Sequence, residues 1–476
     1  MNYRVIICGA FLAACGQAMA ARHAAWQEVK APQLRAGVAV VDITPPEASL
    51  PKGYDGVHDR VYARALVLDD GRTRAALVTV DAGAITEETW QAVSAQVSNG
   101  LGIPANQLII TATHTHSAPA AAGERVNGMI VDAIRRAGAA PVPARISYGT
   151  GESYINVNRN IIDRKTNRWW EGPNRDGASD KTVAVVYVET LAGAPLAVLY
   201  NYAVHAVLLG QLDQISADLP GAASAYIERS LGNGAIALWS EGAAGDQNPI
   251  YYQQTYDLRA IRVQEYASRG VDISNAMPPG GQGLDRSNPR VAMLMDQQQQ
   301  MALSMGQMLG EEVLHVVHDS LERAQSDSGI RGAQAIVSCP GRRRTDAGRA
   351  GFAGSYVDAE PIPIRLSLLA IGDIAIGGVN AEVFNTIATR LKRESPLKHT
   401  IMATLTNGLG TSGYIPNEAA FGFNTFEVVS SNLKPGCAEA AIVGGLLNLI
   451  ATGPTPGALR LKVTWRDGST TEFGGA

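Results

Sequence analysis

The sequence predicts an α/β fold in which mixed sheets are layered with helices. Short, nearly continuous apolar runs, such as 75–81 (AALVTVD) and 108–113, are typical of strands buried on both faces. Segments with apolar residues at helical spacing, 85–101 and 126–137, alternate with these runs. Such alternation of buried strands with amphipathic helices favours the α/β class.

The other elements follow the same two patterns along the chain. Further strands are predicted at 34–42, 62–68, 183–189, 196–203, 236–239 and, on either side of Gly372 and Asp373, within 364–379. Further helices are predicted at 218–231, 289–319, 381–392 and 438–450. Two long segments rich in polar, Gly or Pro residues are expected to be loops, 158–179 and 266–289. The tail, 458–473, is expected to form a hairpin around Asp467 and Gly468.

The composition is that of a globular protein with a large core, because 46% of the 476 residues are hydrophobic. The formal net charge is −4 and the basic residues are scattered, so we expect no nucleic-acid partner. The sequence shows neither an internal repeat nor a strong linker. We therefore expect residues 21–476 to form a single domain.

The N-terminus has the features of an export signal. Residues 5–14 are apolar but too few to span a bilayer. Residues 18–20 (AMA) fit ordinary signal cleavage, whereas 12–15 (LAAC) resemble a bacterial lipobox that would make Cys15 a lipid-bearing first residue. We expect residues 1–20 to be an export signal and the protein to be periplasmic or secreted. The alternative is an outer-membrane lipoprotein, and membrane contact is expected only if Cys15 is lipidated.

Two cysteines, Cys339 and Cys437, lie outside the export signal. An even pair of cysteines in an oxidising compartment is compatible with a disulfide. Two buried thiols are equally compatible, because sequence spacing does not determine the geometry that a disulfide needs.

Two histidines, His114 and His116, follow the predicted buried strand at 108–113. Ligand and catalytic groups are often found at the carboxyl ends of strands in α/β sheets. If the strand continued, both rings would share one face and could bind a metal together. Alternatively, one histidine binds a metal while the other acts as an acid–base, or both are ordinary polar residues of a loop.

Further candidate residues each have an ordinary structural explanation when taken alone. His205 ends a predicted apolar strand and could be a core histidine, and Glu382 lies in the first turn of a predicted helix, where it could compensate the helix dipole. Tyr414 could be a packed loop tyrosine. The segment 241–249 (EGAAGDQNP) could be an ordinary glycine-rich turn, and it lacks the Gly-Lys-Ser/Thr of a Walker loop.

Taken together, the motifs resemble the catalytic N-terminal domain of the neutral (non-lysosomal) ceramidase family. They occur in order along nearly the whole chain that follows the export signal, and their number makes the resemblance specific. The matching motifs are AGVAVVDITPP, YARALVLDDG, TATHTHSAP, NVNRN with GPNRDG, NYAVH, SADLPG, EGAAGDQNP, GGVNAEVF, GYIPNEAAFG and LKPGCAE.

The resemblance implies a zinc site with the ligands His114, His205, Glu382 and Tyr414. Zinc accepts nitrogen and oxygen ligands and keeps an open position when it is catalytic. A water bound there would have a pKa of roughly 7 and would attack a carboxylic amide or ester. By the same resemblance, His116 would lie beside the metal as an acid–base, and Arg159 matches an arginine of the family's site.

Two positions and the chain length depart from the family pattern. Asn248 replaces a serine that ceramidases need, and Phe426, before Glu427, replaces a tyrosine that helps to hold the oxyanion. Phenylalanine cannot donate a hydrogen bond, whereas Asn248 can still orient a substrate. The C-terminal immunoglobulin-like domain of ceramidases is also expected to be absent. We therefore expect the substrate to be a smaller, more polar amide or ester than ceramide.

The resulting hypothesis is an exported zinc-dependent hydrolase of a small-molecule amide or ester, related to enzymes of lipid metabolism. A zinc-dependent lyase or isomerase on the same scaffold is the first alternative, since zinc can also stabilise an enolate. The second alternative is a non-catalytic binding protein that retains the metal for folding. The presence of both His116 and Arg159 beside the ligands favours catalysis.

Overall fold

The computed structural model describes residues 33–210, 212–273, 284–346 and 350–452, and the backbone of the strands Leu461–Thr464 and Thr470–Phe473. The expected export signal, with Cys15, and the turn at Asp467 and Gly468 lie outside the described residues. Among the described helices, none has the length and apolar character needed to cross a membrane.

The elements are numbered in chain order. The strands are β1 (Arg35–Asp42), β2 (Gly56–Val57), β3 (Tyr62–Asp69), β4 (Arg74–Val80), β5 (Leu108–Ala112), β6 (Val142–Glu152), β7 (Asn156–Asp163), β8 (Arg168–Asn174), β9 (Thr182–Thr190), β10 (Pro195–Tyr202), β11 (Gln214–Ile215), β12 (Ile236–Glu241), β13 (Gln247–Pro249), β14 (Ile330–Arg344), β15 (Tyr356–Ile371), β16 (Ile374–Val379), β17 (Glu382–Val383), β18 (His399–Ala403), β19 (Tyr414–Ile415), β20 (Leu461–Thr464) and β21 (Thr470–Phe473). The helices are α1 (Glu87–Leu101), α2 (Gly123–Ala139), α3 (Asp218–Leu231), α4 (Gln253–Ser268), α5 (Pro289–His315, continued by a π-helical turn over Val316–Ser320), α6 (Asn385–Glu394), α7 (Phe426–Ser430) and α8 (Ala438–Ala451).

Two sheets pack face to face at the centre of the molecule. The larger has eight strands in the order β12-β10-β9-β6-β1-β3-β4-β5, and the smaller has four in the order β14-β15-β16-β18. Their facing sides share one apolar core, to which the large sheet contributes Leu66 and Leu199 and the small sheet contributes Leu369 and Ile376. Each of these side chains is at most 3% exposed, so the layer between the sheets excludes water.

Helices cover the outer faces of both sheets. Helices α1 and α2 pack against β3, β4 and β5, while α3 and α5 pack against β9, β10 and β12. Helices α6 and α8 cover β15, β16 and β18 of the small sheet. The result is a four-layer helix–sheet–sheet–helix arrangement, and the predicted α/β class is confirmed.

Strands that run parallel within the mostly antiparallel sheets place their carboxyl ends at the site. The pair β4 and β5 is parallel, as are β10 with β12 and β16 with β18. The chain leaves β5 towards His114, β10 towards His205, and β16 towards Glu382. These three strand ends converge on one cleft.

The prediction of a helix from residue 381 was wrong. Glu382 lies in the short strand β17, which pairs in parallel register with β19 so that Glu382 is opposite Tyr414. The helix α6 begins only at Asn385, after Phe384, whose backbone is extended with φ −66° and ψ 144°. Backbone pairing with β19 therefore overrides the helical pattern of this segment.

The prediction of a loop at 158–179 was also wrong, because β7 and β8 form a hairpin there. Its polar side chains bond within the hairpin: Trp169 Nε1 donates to Asn160 Oδ1 at 2.6 Å, and Asn174 Nδ2 donates to the Asn160 carbonyl at 2.8 Å. The segment 266–289 is partly helical, since α4 extends to Ser268. Residues 274–283 of that segment lie outside the described part of the chain.

The sequence left the pairing of the two cysteines undecided, and the structure shows that Cys339 and Cys437 form a disulfide with Cα atoms 5.7 Å apart. It joins β14 to the residue that precedes α8. The segment that it closes, with a sequence separation of 98 residues, contains both Glu382 and Tyr414.

The compact body formed by residues 32–456 contains every element from β1 to α8. Strands β20 and β21 belong to a separate unit, in which they pair antiparallel with Leu461 opposite Phe473, as the hairpin prediction for the tail requires. A single domain over 21–476 stays a prediction.

Candidate metal centre

His114 is held in a turn that immediately follows β5. Its backbone is left-handed, with φ 60°, a conformation that is uncommon for a residue with a side chain. The ring is buried, and its Nδ1 lies 2.8 Å from the Gly83 carbonyl oxygen. A carbonyl can only accept, so Nδ1 carries a proton, and in the neutral ring Nε2 presents a lone pair to the cleft.

His205 is held in the same manner from another strand end. Its side chain is buried at 1% exposure, and its Nδ1 lies 3.1 Å from the Gln247 carbonyl oxygen. The Nε2 atom of His205 therefore also presents a lone pair. The rings of His114 and His205 have centroids 4.9 Å apart.

Glu382 completes this group with a carboxylate oxygen. Its Oε2 lies 3.2 Å from Nε2 of His114 and 3.0 Å from Nε2 of His205. With both Nδ1 atoms donating to carbonyls, neutral rings would direct two nitrogen lone pairs at an oxygen lone pair. Such a cluster needs protons or a cation between the groups, and nitrogen and oxygen donors at these positions fit a zinc ion.

His116 joins the same cluster from the open side of the cleft. Its Nε2 lies 3.4 Å from Nε2 of His114, and the candidate ligand atoms of His114, His116 and His205 all lie within 4.8 Å of one another. The strand does not continue through His116, because it ends at Ala112 and His114 is left-handed. The turn brings the two rings together in an edge-on contact nevertheless.

Tyr414 enters the cluster through its pairing with Glu382 in the two-stranded sheet β17–β19. Its ring lies against that of His205, with centroids 6.5 Å apart and an interplanar angle of 27°. The phenol is close enough to Glu382 and Arg159 that both change its pKa. The structure thus brings together all four residues for which the resemblance implies a role as ligands.

Arg159 lies behind the cluster, where its guanidinium is fixed on several sides. Its Nε donates to Glu427 Oε1 at 2.6 Å, and Nη2 donates to the Gly245 carbonyl at 2.8 Å. The guanidinium carbon lies 5.4 Å from the centroid of the Tyr414 ring, a cation–π distance. Arg159 is therefore a fixed positive charge beside the candidate ligands.

Asn248 and Phe426, the two departures from the family pattern, both lie next to Arg159. Asn248 Oδ1 accepts from Arg159 Nη1 at 3.4 Å, and its Nδ2 donates to Glu171 Oε1 at 2.8 Å. The Phe426 ring packs edge-on against Tyr414 with centroids 5.6 Å apart. Phe426 thus contributes an apolar surface where a tyrosine would offer a hydroxyl.

Burial and the neighbouring charges shift the pKa values of the side chains in the cluster. Burial alone would raise the pKa of Glu382, but His114 and His205 outweigh it and hold this pKa well below its usual range. Loss of hydration in the cleft, together with the nearby His114 and His205, lowers the pKa of His116 well below the ordinary value. Burial and the adjacent carboxylate of Glu382 raise the pKa of Tyr414. Glu382 is thus an anion and His116 is neutral near pH 7.

Sequence reasoning missed the groups that orient the candidate ligands. The carbonyls of Gly83 and Gln247 fix the two histidine rings, and the carboxylate of Glu427, which is 0% exposed, fixes Arg159. No side-chain pattern marks a backbone carbonyl, so the sequence carries no signal for the first two. The position of Glu427 directly after Phe426 is a signal that could have been used.

The sequence matches a known family over residues 35–252, described as neutral/alkaline non-lysosomal ceramidase, N-terminal. This segment contains His114, His116, Arg159, His205 and Asn248. Neutral ceramidase A of Dictyostelium discoideum is 28% identical over 253 residues, 45% of this chain and 35% of that protein. Neutral ceramidase of Pseudomonas aeruginosa is 28% identical over 251 residues, 45% of this chain and 37% of its own length. The chain thus matches little more than a third of the length of these relatives.

The fold likeness extends beyond the matched segment. A crystal structure of neutral ceramidase from Pseudomonas aeruginosa superposes with a TM-score of 0.65 at 16% identity, over 93% of this chain and 78% of that one. A ceramidase structure described as complexed with C2 gives a TM-score of 0.64 at 17% identity over the same shares. The fold likeness therefore includes the small sheet and the strands that carry Glu382 and Tyr414. Over residues 35–252 in sequence, and over most of the chain in fold, the protein is thus similar to the neutral/alkaline non-lysosomal ceramidases.

Proposed function

We propose that this protein is an exported, zinc-dependent hydrolase that cleaves the amide bond of a substrate smaller and more polar than ceramide. One observation carries the proposal. Glu382 Oε2 lies 3.0 to 3.2 Å from two histidine nitrogens whose rings are each fixed by a backbone carbonyl. The match of residues 35–252 to a ceramidase family supports the reaction class, because the relatives are named as ceramidases.

His114, His205, Glu382 and Tyr414 would hold the metal, and His116 is close enough to exchange with one of them. The donor set of nitrogen and oxygen atoms is one that zinc prefers over magnesium. A zinc ion at this position would supply a Lewis acid for the scissile carbonyl and lower the pKa of water to roughly 7.

The remaining groups have roles that follow from their positions. The fixed guanidinium of Arg159 stabilises negative charge that develops on the carbonyl oxygen in the transition state. His116 is neutral at pH 7, so its Nε2, which faces the ligands, can accept a proton from the attacking water and pass it to the departing nitrogen. Asn248, held by Arg159 and Glu171, offers an amide that orients the substrate.

The two departures from the family pattern favour a substrate other than ceramide. Phe426 leaves no hydroxyl at the oxyanion, and Asn248 presents a carboxamide in the place of a serine. Export is supported by the disulfide Cys339–Cys437, because disulfides persist in oxidising compartments.

The reaction class is tested by incubating the metal-loaded protein in ¹⁸O-labelled water with a panel of short-chain and long-chain N-acyl amides. A hydrolase places one labelled oxygen in each carboxylic acid that it releases. An unlabelled product would indicate a lyase or isomerase, and binding without product would indicate a metal-retaining binding protein.

A His116→Gln variant should keep the metal and lose most of the turnover, whereas the surface variant His318→Gln should change neither the metal content nor the turnover.

A further inference from the structure

A cavity of about 180 Å³ lies beside Asn248, and none of the candidate ligands is among the residues that line it. Its walls come from β7, β8, β13, the start of α4 and the middle of α5. We call it the Tyr256 pocket. It is lined by, among others, Val157, Asn248, Ile250, Tyr252, Tyr256 and Met301.

The Tyr256 pocket is connected to the candidate metal centre through a short series of contacts. Asn248 is part of its wall and accepts from Arg159 at 3.4 Å. Arg159 in turn lies over the ring of Tyr414. Asn248 therefore lies between the pocket, whose wall it lines, and the guanidinium beside the candidate ligands.

The aromatic and apolar part of the wall suits a flat ring. Tyr252 and Tyr256 meet edge-on with centroids 4.8 Å apart, and this pair prefers a further ring in a stacked or edge-on position. Met301 contributes a sulfur atom, which also packs favourably against rings. An apolar cavity of about 150 Å³ can hold benzene, so a cavity of about 180 Å³ matches one six-membered ring with a small substituent.

The polar part of the wall suits a hydrogen-bond donor. Asn248, Gln253 and Gln254 line the pocket, and a side-chain amide oxygen accepts hydrogen bonds. Glu171 lies outside the wall and accepts from Asn248 Nδ2 at 2.8 Å. Burial and the nearby Glu171 raise the pKa of both Tyr252 and Tyr256, so these phenols stay neutral. A hydroxyl or amino group on the bound ring would find acceptors at this wall.

We propose that the Tyr256 pocket selects an amide substrate in which either the acyl or the amine substituent ends in a compact aromatic ring with a hydroxyl or amino group. The pocket rejects a substrate in which this substituent is a long alkyl chain. The proposal rests on the proposed amidase function, since it names the substrate class for that site. Its physical basis is the match in size, the paired tyrosines, and the acceptors around Asn248.

Binding in the pocket can be tested without turnover. The non-reacting phenol tyramine is titrated by calorimetry into the His114→Ala variant, in which hydrolysis is excluded. Filling the pocket with Met301→Trp should weaken binding by roughly tenfold or more, since the ring is displaced. The control, Met308→Trp, lies on the same helix at a position that is 58% exposed and should leave binding unchanged.

Selectivity is tested with the zinc-loaded protein that retains His114. Two series of amides place a 4-hydroxyphenyl, phenyl or octyl group on the acyl side or on the amine side, which identifies the arm that enters the pocket. The 4-hydroxyphenyl compound of one series should have the lowest KM, and Gln254→Leu, which removes an amide from the wall, should reduce its advantage over the phenyl compound by roughly fivefold. The variant Tyr256→Phe provides a second, milder change if Met301→Trp fails to fold.

The outcomes separate this proposal from the proposed function. Tyramine binding that is sensitive to Met301→Trp supports the pocket even if no amide is cleaved. Turnover that is equal for octyl and 4-hydroxyphenyl amides and insensitive to the pocket variants would overturn the pocket while leaving the hydrolase intact. Absence of both tyramine binding and selectivity would also overturn it.

Discussion

Removing the disulfide Cys339–Cys437 is expected to lower the thermal unfolding temperature by roughly 5 °C. The bond closes a segment with a sequence separation of 98 residues. In the chain-entropy model, a loop of this size restricts the unfolded state by about 4.7 kcal/mol. The compact body of residues 32–456 has an unfolding entropy of about 0.9 kcal/mol/K by its size, and the ratio of the two values gives the expected shift.

The variant for this measurement replaces both cysteines by alanine, because Cys339 is 0% exposed and a serine there would bury a hydroxyl group. Differential scanning calorimetry of both proteins, with and without dithiothreitol, provides the comparison. Reductant should lower the unfolding temperature of the parent protein to nearly that of the variant and should leave the variant unchanged. A variant that unfolds within about 1 °C of the parent would refute the loop-closure reasoning.

The remaining predictions concern buried charges. Replacing Glu427 by alanine should destabilise the protein by about 3 kcal/mol in urea titrations, because Arg159 would lose a buried partner. Lys398→Ala, which breaks an exposed ion pair, should change stability by less than about 1 kcal/mol. If both variants lost the same stability, the distinction between buried and exposed ion pairs would be contradicted. Burial raises the pKa of Asp218 from 3.8 to about 6, so its contribution to stability is lost as the pH rises through this range. Asp218→Asn should flatten this part of the profile of unfolding temperature against pH, and an unchanged slope would refute the assignment.

The sequence predicted the central strands and most helices well, because burial between two sheets leaves a simple apolar pattern. The segments 75–81 and 108–113 became β4 and β5, and 218–231 became α3. Predictions were wrong where polar side chains form their own hydrogen bonds. The hairpin of β7 and β8 is rich in Asn and Arg and therefore has the composition of a loop, yet its amides bond within the hairpin.

The sequence predicted which residues form the candidate site but not how the backbone arranges them. The family motifs named His114, His205, Glu382 and Tyr414, and the structure brings these residues together, while their role as ligands stays a prediction. The helical pattern after residue 381 concealed the pairing of Glu382 with Tyr414, since two-residue strands leave no periodicity. The left-handed turn at His114 likewise has no signature in the sequence.

The most direct test of the account is the metal content of the purified protein, measured by mass spectrometry beside His114→Ala and the surface control His318→Ala. The account predicts about one zinc ion per chain in the parent and the control. It predicts loss of zinc and of amide hydrolysis together in His114→Ala, with the fold retained by circular dichroism. A parent protein that binds no metal even after dialysis against zinc, or a His114→Ala variant that keeps both metal and activity, would contradict the central claim.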